Sequence, residues 1–310
     1  MFSPSTVETK SCEDLVIHQP SGTAFFACTN VTDRVMWFPP KHKRNASPVL
    51  RDKLFSYNIE VFLFIFFCVL APLPAPRKQK NNNCEQELSA HRWADFPTGR
   101  LAELELEGFS GDFVSHGVGI HQLDENTIVI AAVNHDRKGE AVSLFGPSTS
   151  IQTWISDRVD VFYKFEHTLG TKKAKHLETV YDPLIWAAND VVPVSRDSFY
   201  VTNDHFYAAE HVWKQLVESI GRQPWSNVVY RDGARAGEVR IVAERLTYAN
   251  GIEADAAGRL YVNQVGALGT SVFLRTKEGE LKKRDFIHFG FAVDNVAVDP
   301  ETGAIYTAGQ

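Results

Sequence analysis

Short runs of alternating apolar and polar residues recur along the chain, each broken by a turn rich in Gly, Asp or Pro. Such a run, followed by a polar turn and a second run, predicts a β-hairpin, because successive side chains of a strand point to opposite faces. Five segments share the pattern, and they start at Asp14, Gly117, Asp190, Gly251 and Asn295. Hairpins that recur with flanking strands predict the blades of a propeller.

A polar residue stands at or just before the start of each predicted first strand. These residues are Glu13 and Asp14, His116, Asn189 and Asp190, Asn250, and Asp294 and Asn295. Equivalent residues of a radial repeat occupy equivalent places on a ring, so symmetry predicts that all five positions meet at one end of the central channel. The alternative is that these Asn and Asp residues only form local turns. We favour a shared site, since turn formation does not require the same phase in every repeat.

The chemistry of this set is dominated by oxygen donors. Calcium takes six to eight oxygen ligands from carboxylates, amide carbonyls and water, whereas softer metals prefer imidazole or thiolate. His116 and His135 flank one hairpin, and a neutral imidazole near a bound water can take its proton, although a lone histidine is more often structural. Asp204 and His205 end a predicted strand, where they either support the site from behind the ligands or cap a loop.

The composition excludes several functions. The 310 residues carry a net charge of −6 and no basic stripe with interleaved aromatics, which argues against a nucleic-acid partner. The sequence has no GxSxG motif, so a serine nucleophile of the α/β-hydrolase kind is not indicated. It also has no glycine loop of the kind that binds phosphate. The four cysteines, Cys12, Cys28, Cys68 and Cys84, lack the spacing of a zinc site, and whether they pair or stay free is left open.

At these same residues the chain resembles the paraoxonase/arylesterase family. The stretches that carry the resemblance are Cys12-Glu-Asp-Leu15, Phe113-Val-Ser-His-Gly117, Val133-Asn-His135, Ala188-Asn-Asp-Val-Val192, Phe199-Tyr-Val-Thr-Asn-Asp-His205, Trp225-Ser-Asn-Val-Val-Tyr230, Tyr248-Ala-Asn-Gly-Ile252 and Val293-Asp-Asn295. The resemblance implies an all-β fold, a propeller of the six-bladed type with two calcium ions in its central tunnel. Counting the repeats, we expect about five blades here and a ring that is not closed, because the family's closing segments would follow Gln310.

The resemblance also implies roles for individual residues. Those that match the ligands of the catalytic calcium are Glu13, Asn189, Asn250, Asp294 and Asn295. Those that match the structural calcium are Asp14, Asp190 and, through its backbone carbonyl, Val118. His116 and His135 match a proposed catalytic dyad. The implied activity is calcium-dependent hydrolysis of aryl esters and lactones, in which the metal polarises the carbonyl and a histidine activates water.

Two segments match nothing in the family, 61–97 and 143–159. We interpret both as inserts, with translated introns as the leading explanation and disordered loops as the alternative. The apolar run 61–71 is short for a bilayer span, which needs about 20 residues, so membrane contact through it is not favoured.

Two sequons, at Asn30 and Asn45, favour a glycoprotein only slightly. The first thirty residues show no signal-peptide pattern, while the resemblance implies a secreted or membrane-associated protein.

Two other functions remain open. Another calcium propeller, such as the gluconolactonase type, would differ in substrate and would lack the two histidines. A non-catalytic propeller, or an inactive fragment used as a binding platform, would show no calcium-dependent hydrolysis. The expected substrate in the leading case is a small-molecule ester or lactone.

Overall fold

In the part of the chain that the structure describes, nineteen strands, one α-helix and two short 3₁₀-helices form the regular structure. A computed structural model describes residues 11–29, 52–58, 102–111, 113–135, 161–207 and 212–309. The inserts 61–97 and 143–159, the sequons, and the cysteines Cys68 and Cys84 lie outside these ranges. Within the described residues, no helix combines the length and the apolar character needed to cross a bilayer.

The strands form five sheets in chain order. Sheet 1 contains β1 (Ser11–His18), β2 (Thr23–Thr29), β3 (Lys53–Asn58) and β4 (Ala102–Glu103). Sheet 2 contains β5 (Glu105–Glu107), β6 (Ser115–Gln122), β7 (Thr127–Asn134), β8 (Val161–Thr168) and β9 (Lys173–Val180). Sheet 3 contains β10 (Ala188–Pro193), β11 (Phe199–Asn203), β12 (Ser226–Asp232) and β13 (Glu238–Leu246).

The remaining sheets follow the same plan. Sheet 4 contains β14 (Ala249–Ala254), β15 (Arg259–Gln264), β16 (Gly269–Arg275) and β17 (Leu281–His288), and sheet 5 contains β18 (Val293–Val298) and β19 (Ile305–Gly309). The helix α1 (Val212–Ile220) lies between β11 and β12, and the 3₁₀-helices are Gln19–Ser21 and Gly233–Arg235. The sheets are antiparallel meanders apart from β5, which pairs parallel with β9.

The all-β propeller prediction is confirmed by this arrangement. Each of the five predicted repeats supplies the inner strand of one sheet, namely β1, β6, β10, β14 and β18. Four sheets have at least four strands, and the fifth has two within the described residues. These first strands contact each other in chain order, β1 with β6, β6 with β10, β10 with β14, and β14 with β18, so they form the inner wall of the ring.

Three apolar cores lie between successive sheets, as a propeller requires. The core between sheets 1 and 2 includes Phe25, Leu54, Ile130 and Phe165. The next cores join sheet 2 to sheet 3 and sheet 3 to sheet 4, with residues such as Val133, Val191 and Val229 in one and Tyr200, Leu260 and Phe273 in the other. Because each blade buries apolar faces against its neighbours, the position of the inner strands is set by packing on both sides.

The segments beside both inserts are paired strands. Phe55 pairs with Glu103 across the first insert, and the whole of β7 pairs with β8 across the second. The segment 102–107 is divided at Leu104: β4 ends sheet 1 and β5 joins sheet 2. The chain changes sheets here because the buried Leu104 packs into the core between them.

The pairing of two cysteines, left open by the sequence, is resolved. Cys12 and Cys28 form a disulfide between directly opposite residues of β1 and β2. The bond fixes the strand position immediately before Glu13.

Candidate metal centre

The five inner strands share an irregularity at the residues singled out by the repeat. In each strand the pairing register shifts by one extra residue: between Cys12 and Asp14, Ser115 and Val118, Ala188 and Val191, Ala249 and Ile252, and Val293 and Val296. The residues inside or at the edge of these bulges are Glu13 and Asp14, His116 and Gly117, Asn189 and Asp190, Asn250 and Gly251, and Asp294 and Asn295. A β-bulge re-aims side chains and is common beside active sites. The five repeats therefore present their polar residues by the same backbone device.

Two glycines let neighbouring inner strands approach closely at the bulges. A Cβ on Gly117 would lie 2.4 Å from Asp190 Cα and 2.7 Å from the Asn189 carbonyl oxygen. A Cβ on Gly251 would lie 2.6 Å from Asn295 Cα and 2.8 Å from the Asp294 carbonyl oxygen. Any larger residue at either position would push adjacent blades apart at the axis.

The two candidate histidines are in direct contact. His116 Nδ1 lies 2.8 Å from His135 Nε2, and the ring centroids are 5.0 Å apart. On its other side, His116 Nε2 lies 3.1 Å from Glu13 Oε1 and 3.5 Å from Asn189 Nδ2. Sheets 1, 2 and 3 thus each contribute a candidate residue to one cluster.

Asp14 links sheets 1, 2 and 5. Its carboxylate accepts hydrogen bonds from Val118 N (2.7 Å), Leu15 N (2.8 Å) and Asn295 Nδ2 (3.1 Å). Asn295 Nδ2 also donates to the Glu13 carbonyl oxygen at 3.2 Å. Val118, whose carbonyl is the implied ligand, therefore holds Asp14 through its N–H.

Asp190 plays the same part between sheets 3 and 4. Its carboxylate accepts from Ile252 N (2.8 Å) and Val191 N (2.7 Å). Thr202 Oγ1 accepts from Asp190 N at 3.1 Å and donates to the Asn250 carbonyl oxygen at 2.7 Å. The backbone on both sides of the candidate residues is held by hydrogen bonds between blades.

Three buried or partly buried carboxylates share the channel. Burial raises the pKa of Asp14 to about 6 in spite of its backbone hydrogen bonds. Burial and the charge of Asp14 raise the pKa of Asp190 well above its ordinary value. Glu253 has a pKa of about 7, raised by burial and further by Asp14. Carboxylates held this way favour either protons or a cation among them.

The Asn250 side chain has an amide oxygen of the kind that can coordinate a metal ion. Its Oδ1 is buried and has no hydrogen-bond partner among the described residues. A buried carbonyl oxygen without a partner costs about 1–3 kcal/mol, so such atoms call for an explanation. Asp294 lies on the neighbouring inner strand. Burial, together with the charges of Asp204, Asp294 and Glu13, raises the pKa of the Tyr248 phenol.

The oxygen atoms of the candidate site fit a hard cation only when the asparagine side chains are counted among the ligands. Among the described residues, no three His, Cys, Asp or Glu side chains are arranged to hold a metal by themselves. With the Asn189, Asn250 and Asn295 amides included, the set is rich in oxygen donors, which is the preference of calcium.

Asp204 and His205 lie apart from the hydrogen-bonded cluster around His116. Asp204 Oδ1 is 2.9 Å from His205 Nδ1, and the His205 ring packs on Tyr248 with centroids 4.3 Å apart. Tyr248, two residues before Asn250, connects this pair to the axial residues.

Sequence reasoning missed several residues of the site. Glu253 on β14 was detectable, since it is a charged residue within an apolar run of an inner strand. Tyr248 and Asn263 gave no signal of their own. Asn263 Nδ2 donates to the carbonyl oxygens of Asp294 (2.8 Å) and Asn295 (3.1 Å), contacts that only the folded ring creates.

A cavity of about 500 Å³ opens at the same end of sheet 3 as Asn189. Its lining includes the aromatic residues Trp186, Phe206, Tyr207 and Trp225, with Glu244 and Arg245 as charged members. The rings contact one another edge to face, for example Phe206 with Trp225 at 6.2 Å between centroids.

The fold is a β-propeller with polar residues at the bulges of its inner strands, and comparison with known proteins identifies the family. The family model described as Arylesterase matches residues 95–310, and the chain belongs to this family. Human serum paraoxonase/arylesterase 1 is 30% identical over 210 residues, covering 66% of this chain and 52% of that protein. Chicken (Gallus gallus) serum paraoxonase/arylesterase 2 is 30% identical over 212 residues, covering 67% and 52%.

The chain spans about half the length of the curated relatives it matches. Rat (Rattus norvegicus) serum paraoxonase/lactonase 3 is 28% identical over 212 residues, again covering 52% of the relative. Among solved structures, a putative gluconolactonase is 11% identical with a TM-score of 0.46, covering 97% of this chain and 72% of that chain. Regucalcin from Agrobacterium tumefaciens, a calcium-binding protein, is 10% identical with a TM-score of 0.45, covering 97% and 68%. At these scores the structural likeness carries no functional argument.

Proposed function

We propose that this protein is a calcium-dependent hydrolase of aryl esters and lactones. The observation that carries the proposal is the β-bulge shared by all five inner strands at Glu13, His116, Asn189, Asn250 and Asp294. Membership of the arylesterase family supports the reaction class.

The proposed ligands divide into two sets. Glu13, Asn189, Asn250, Asp294 and Asn295 would hold the catalytic calcium. The buried Oδ1 of Asn250, which lacks a hydrogen-bond partner in the described part of the chain, supports this assignment. Asp14, Asp190 and the Val118 carbonyl hold a structural calcium, which the buried carboxylates favour because they repel one another without a cation.

Calcium, when bound, polarises the substrate carbonyl and stabilises the oxyanion that develops on it. The chain supplies the base. In the present arrangement Glu13 can only accept at His116 Nε2, which places a proton on that nitrogen and makes Nδ1 the acceptor towards His135.

Activation of water requires the opposite tautomer of the dyad. With its proton on Nδ1 and donated to His135 Nε2, His116 would take a proton from water at Nε2. As that proton arrives, the Nδ1 proton can pass to His135 across the 2.8 Å contact. A Glu13 carboxylate engaged by calcium would release His116 Nε2 for this role.

Hydrolysis of phenyl acetate and of a γ-lactone, measured with calcium, with chelator, and after calcium is restored, tests the proposal. We expect lactone hydrolysis to disappear with chelator and to return with calcium, and the hydrolysis of phenyl acetate to fall and recover with it. Lactone hydrolysis that is indifferent to chelator would reject the metal mechanism. Calcium binding without any hydrolysis would instead favour the binding platform, and activity confined to sugar lactones would favour the gluconolactonase type.

A further inference from the structure

The helix α1 is fixed against the loop that follows β11 by polar side chains. Glu218 accepts hydrogen bonds from Phe206 N (2.9 Å) and Tyr207 N (3.3 Å), and Gln215 Nε2 donates to the Tyr207 carbonyl oxygen at 2.8 Å. The loop itself is held by Trp186 Nε1, which donates to the His205 carbonyl oxygen at 2.8 Å. These contacts hold the next helix residue, Ser219, in register with His205.

His205 bridges a carboxylate and a hydroxyl. Its Nδ1 lies 2.9 Å from Asp204 Oδ1, and its Nε2 lies 3.1 Å from Ser219 Oγ. A carboxylate accepts hydrogen bonds, so Asp204 places the imidazole proton on Nδ1. The unprotonated Nε2 then accepts from the Ser219 hydroxyl, which is the tautomer that a general base requires.

The surroundings suit this chain of groups. His205 is buried while Ser219 is exposed, so the base is sheltered and the hydroxyl is reachable. A small cleft beside them is also lined by Arg222, Gln223 and Tyr248. Because Ser219 lies near the carboxyl end of α1, the helix dipole does not stabilise an anion there, and Arg222 is the cationic side chain of the cleft that can.

We propose that Ser219 is a nucleophile for acyl transfer from activated esters, with His205 as its base and Asp204 as the residue that orients the base. The geometry is that of a serine hydrolase relay, although no GxSxG motif is present, since such relays are recognised by geometry rather than by sequence. This activity needs no metal and is separate from the proposed calcium site.

The reaction proceeds in two balanced steps. The Ser219 oxygen forms a bond to the ester carbonyl carbon, its proton moves to His205 Nε2, and the alcohol or phenol leaves with that proton. Water then attacks the acyl-serine, gives its proton to His205, and releases the carboxylic acid as Ser219 regains a proton. With phenylmethylsulfonyl fluoride the same attack forms an O–S bond and expels fluoride, leaving a stable adduct.

Labelling of the full chain by phenylmethylsulfonyl fluoride, followed by peptide mass spectrometry, tests the proposal. We expect one adduct, on Ser219, that is lost in Ser219→Ala and kept in Ser195→Ala, a control serine whose Oγ accepts from backbone N–H groups. Asp204→Asn should slow labelling at least tenfold. Glu13→Gln should keep the adduct while it loses calcium-dependent hydrolysis, which separates the two sites.

The pH dependence of labelling distinguishes a role of His205 as base from a purely structural contact. Burial lowers the pKa of His205, but Asp204 and Glu218 outweigh it and raise the pKa above its ordinary value. Tyr248 packs against the ring, and Arg222 lines the same cleft. Labelling should therefore be slow while His205 is protonated and should rise as pH passes through that raised pKa. Labelling that is absent, spread over several serines, or insensitive to Asp204→Asn would overturn the proposal.

Discussion

At the scale of single residues, the candidate site combines groups that are poorly satisfied without a cation. Asn250 buries a carbonyl oxygen that has no hydrogen-bond partner among the residues the structure describes. Asp14, Asp190 and Glu253 have raised pKa values because burial disfavours their charges. Natural proteins keep such costs where function requires them.

Replacing Asn250 by Leu separates metal binding from folding. We expect Asn250→Leu to remove calcium-dependent hydrolysis, because a ligand is lost. In chelator its unfolding free energy should equal or exceed that of the unaltered chain, since an unpaired buried carbonyl costs about 1–3 kcal/mol. Chemical denaturation with and without calcium measures both effects. A variant that is destabilised equally in both conditions would mean that Asn250 serves folding alone.

The roles proposed for Asp294 and His116 predict different losses of function when each residue is replaced. Asp294→Ala should weaken calcium binding and hydrolysis together, whereas His116→Ala should reduce hydrolysis by about 10²–10⁴-fold with calcium affinity near normal. Calorimetric titration and initial rates check this. His121→Ala, five residues along the same strand and outside the His116–His135 contact, serves as the control and should leave both measurements unchanged. A parallel loss of calcium binding in His116→Ala would contradict its role as base.

The buried carboxylates predict a pH effect in the calcium-free protein. The pKa of Glu253 is raised to about 7 in the folded state, so the folded chain binds its proton more tightly than the unfolded chain does. Its contribution to stability is complete below the unfolded pKa of about 4.3 and is lost as pH rises through about 7.

Glu253→Gln removes this titration. In chelator we expect its stability, relative to the unaltered chain, to increase as pH rises from the unfolded pKa of about 4.3 to the folded pKa of about 7. Calcium should abolish the difference in slope, and Glu301→Gln, at an exposed residue, should show none. A flat profile for Glu253→Gln would show that this carboxylate titrates normally.

At the scale of elements, the inner strands combine a regular repeat with a bulge at a fixed phase. The bulges aim the polar residues, and the glycines Gly117 and Gly251 admit the neighbouring strand. The element is therefore built for the close approach of two backbones as well as for pairing within its own sheet.

Gly117→Ala should disturb the site more than Gly290→Ala, a substitution at a positive-φ glycine outside the bulges. Its Cβ would lie 2.4 Å from Asp190 Cα, so sheets 2 and 3 must separate at the axis. We expect a loss of about 1–3 kcal/mol from overpacking together with weaker calcium binding. Gly290→Ala, at a φ of +82° with no atom of a described residue within 4 Å of the added Cβ, should cost about 1–2 kcal/mol from strain and leave calcium affinity intact. Equal calcium affinity in both variants would remove the structural role of Gly117.

The inner strands and the shared position of their polar residues were predictable from the sequence. Alternation and turn chemistry located all five first strands, and the constant phase of Glu13, His116, Asn189, Asn250 and Asp294 indicated a shared site. The bulges were not predictable, because a register shift depends on the partner strand as well as on its own. The Cys12–Cys28 pair, the division of 102–107 at Leu104 and the approach of Ser219 to His205 all arise from tertiary contacts that no local pattern encodes.

At the scale of the whole molecule, the ring is joined at its axis by polar contacts as well as by apolar cores between blades. Asn295 of sheet 5 donates to the Glu13 carbonyl oxygen and to Asp14 of sheet 1, so the first and last described sheets meet at the candidate site. A cation bound there would hold all five sheets together, and its binding energy would add to the stability of the fold.

Isothermal titration of the chelator-treated chain with calcium, beside Asn250→Leu, tests the central claim most directly. We expect two binding events for the unaltered chain, and for Asn250→Leu the loss of one of them with the other retained. A chain that binds no calcium, or an Asn250→Leu variant that binds calcium just as the unaltered chain does, would contradict the assignment of the five bulged strands as a calcium centre.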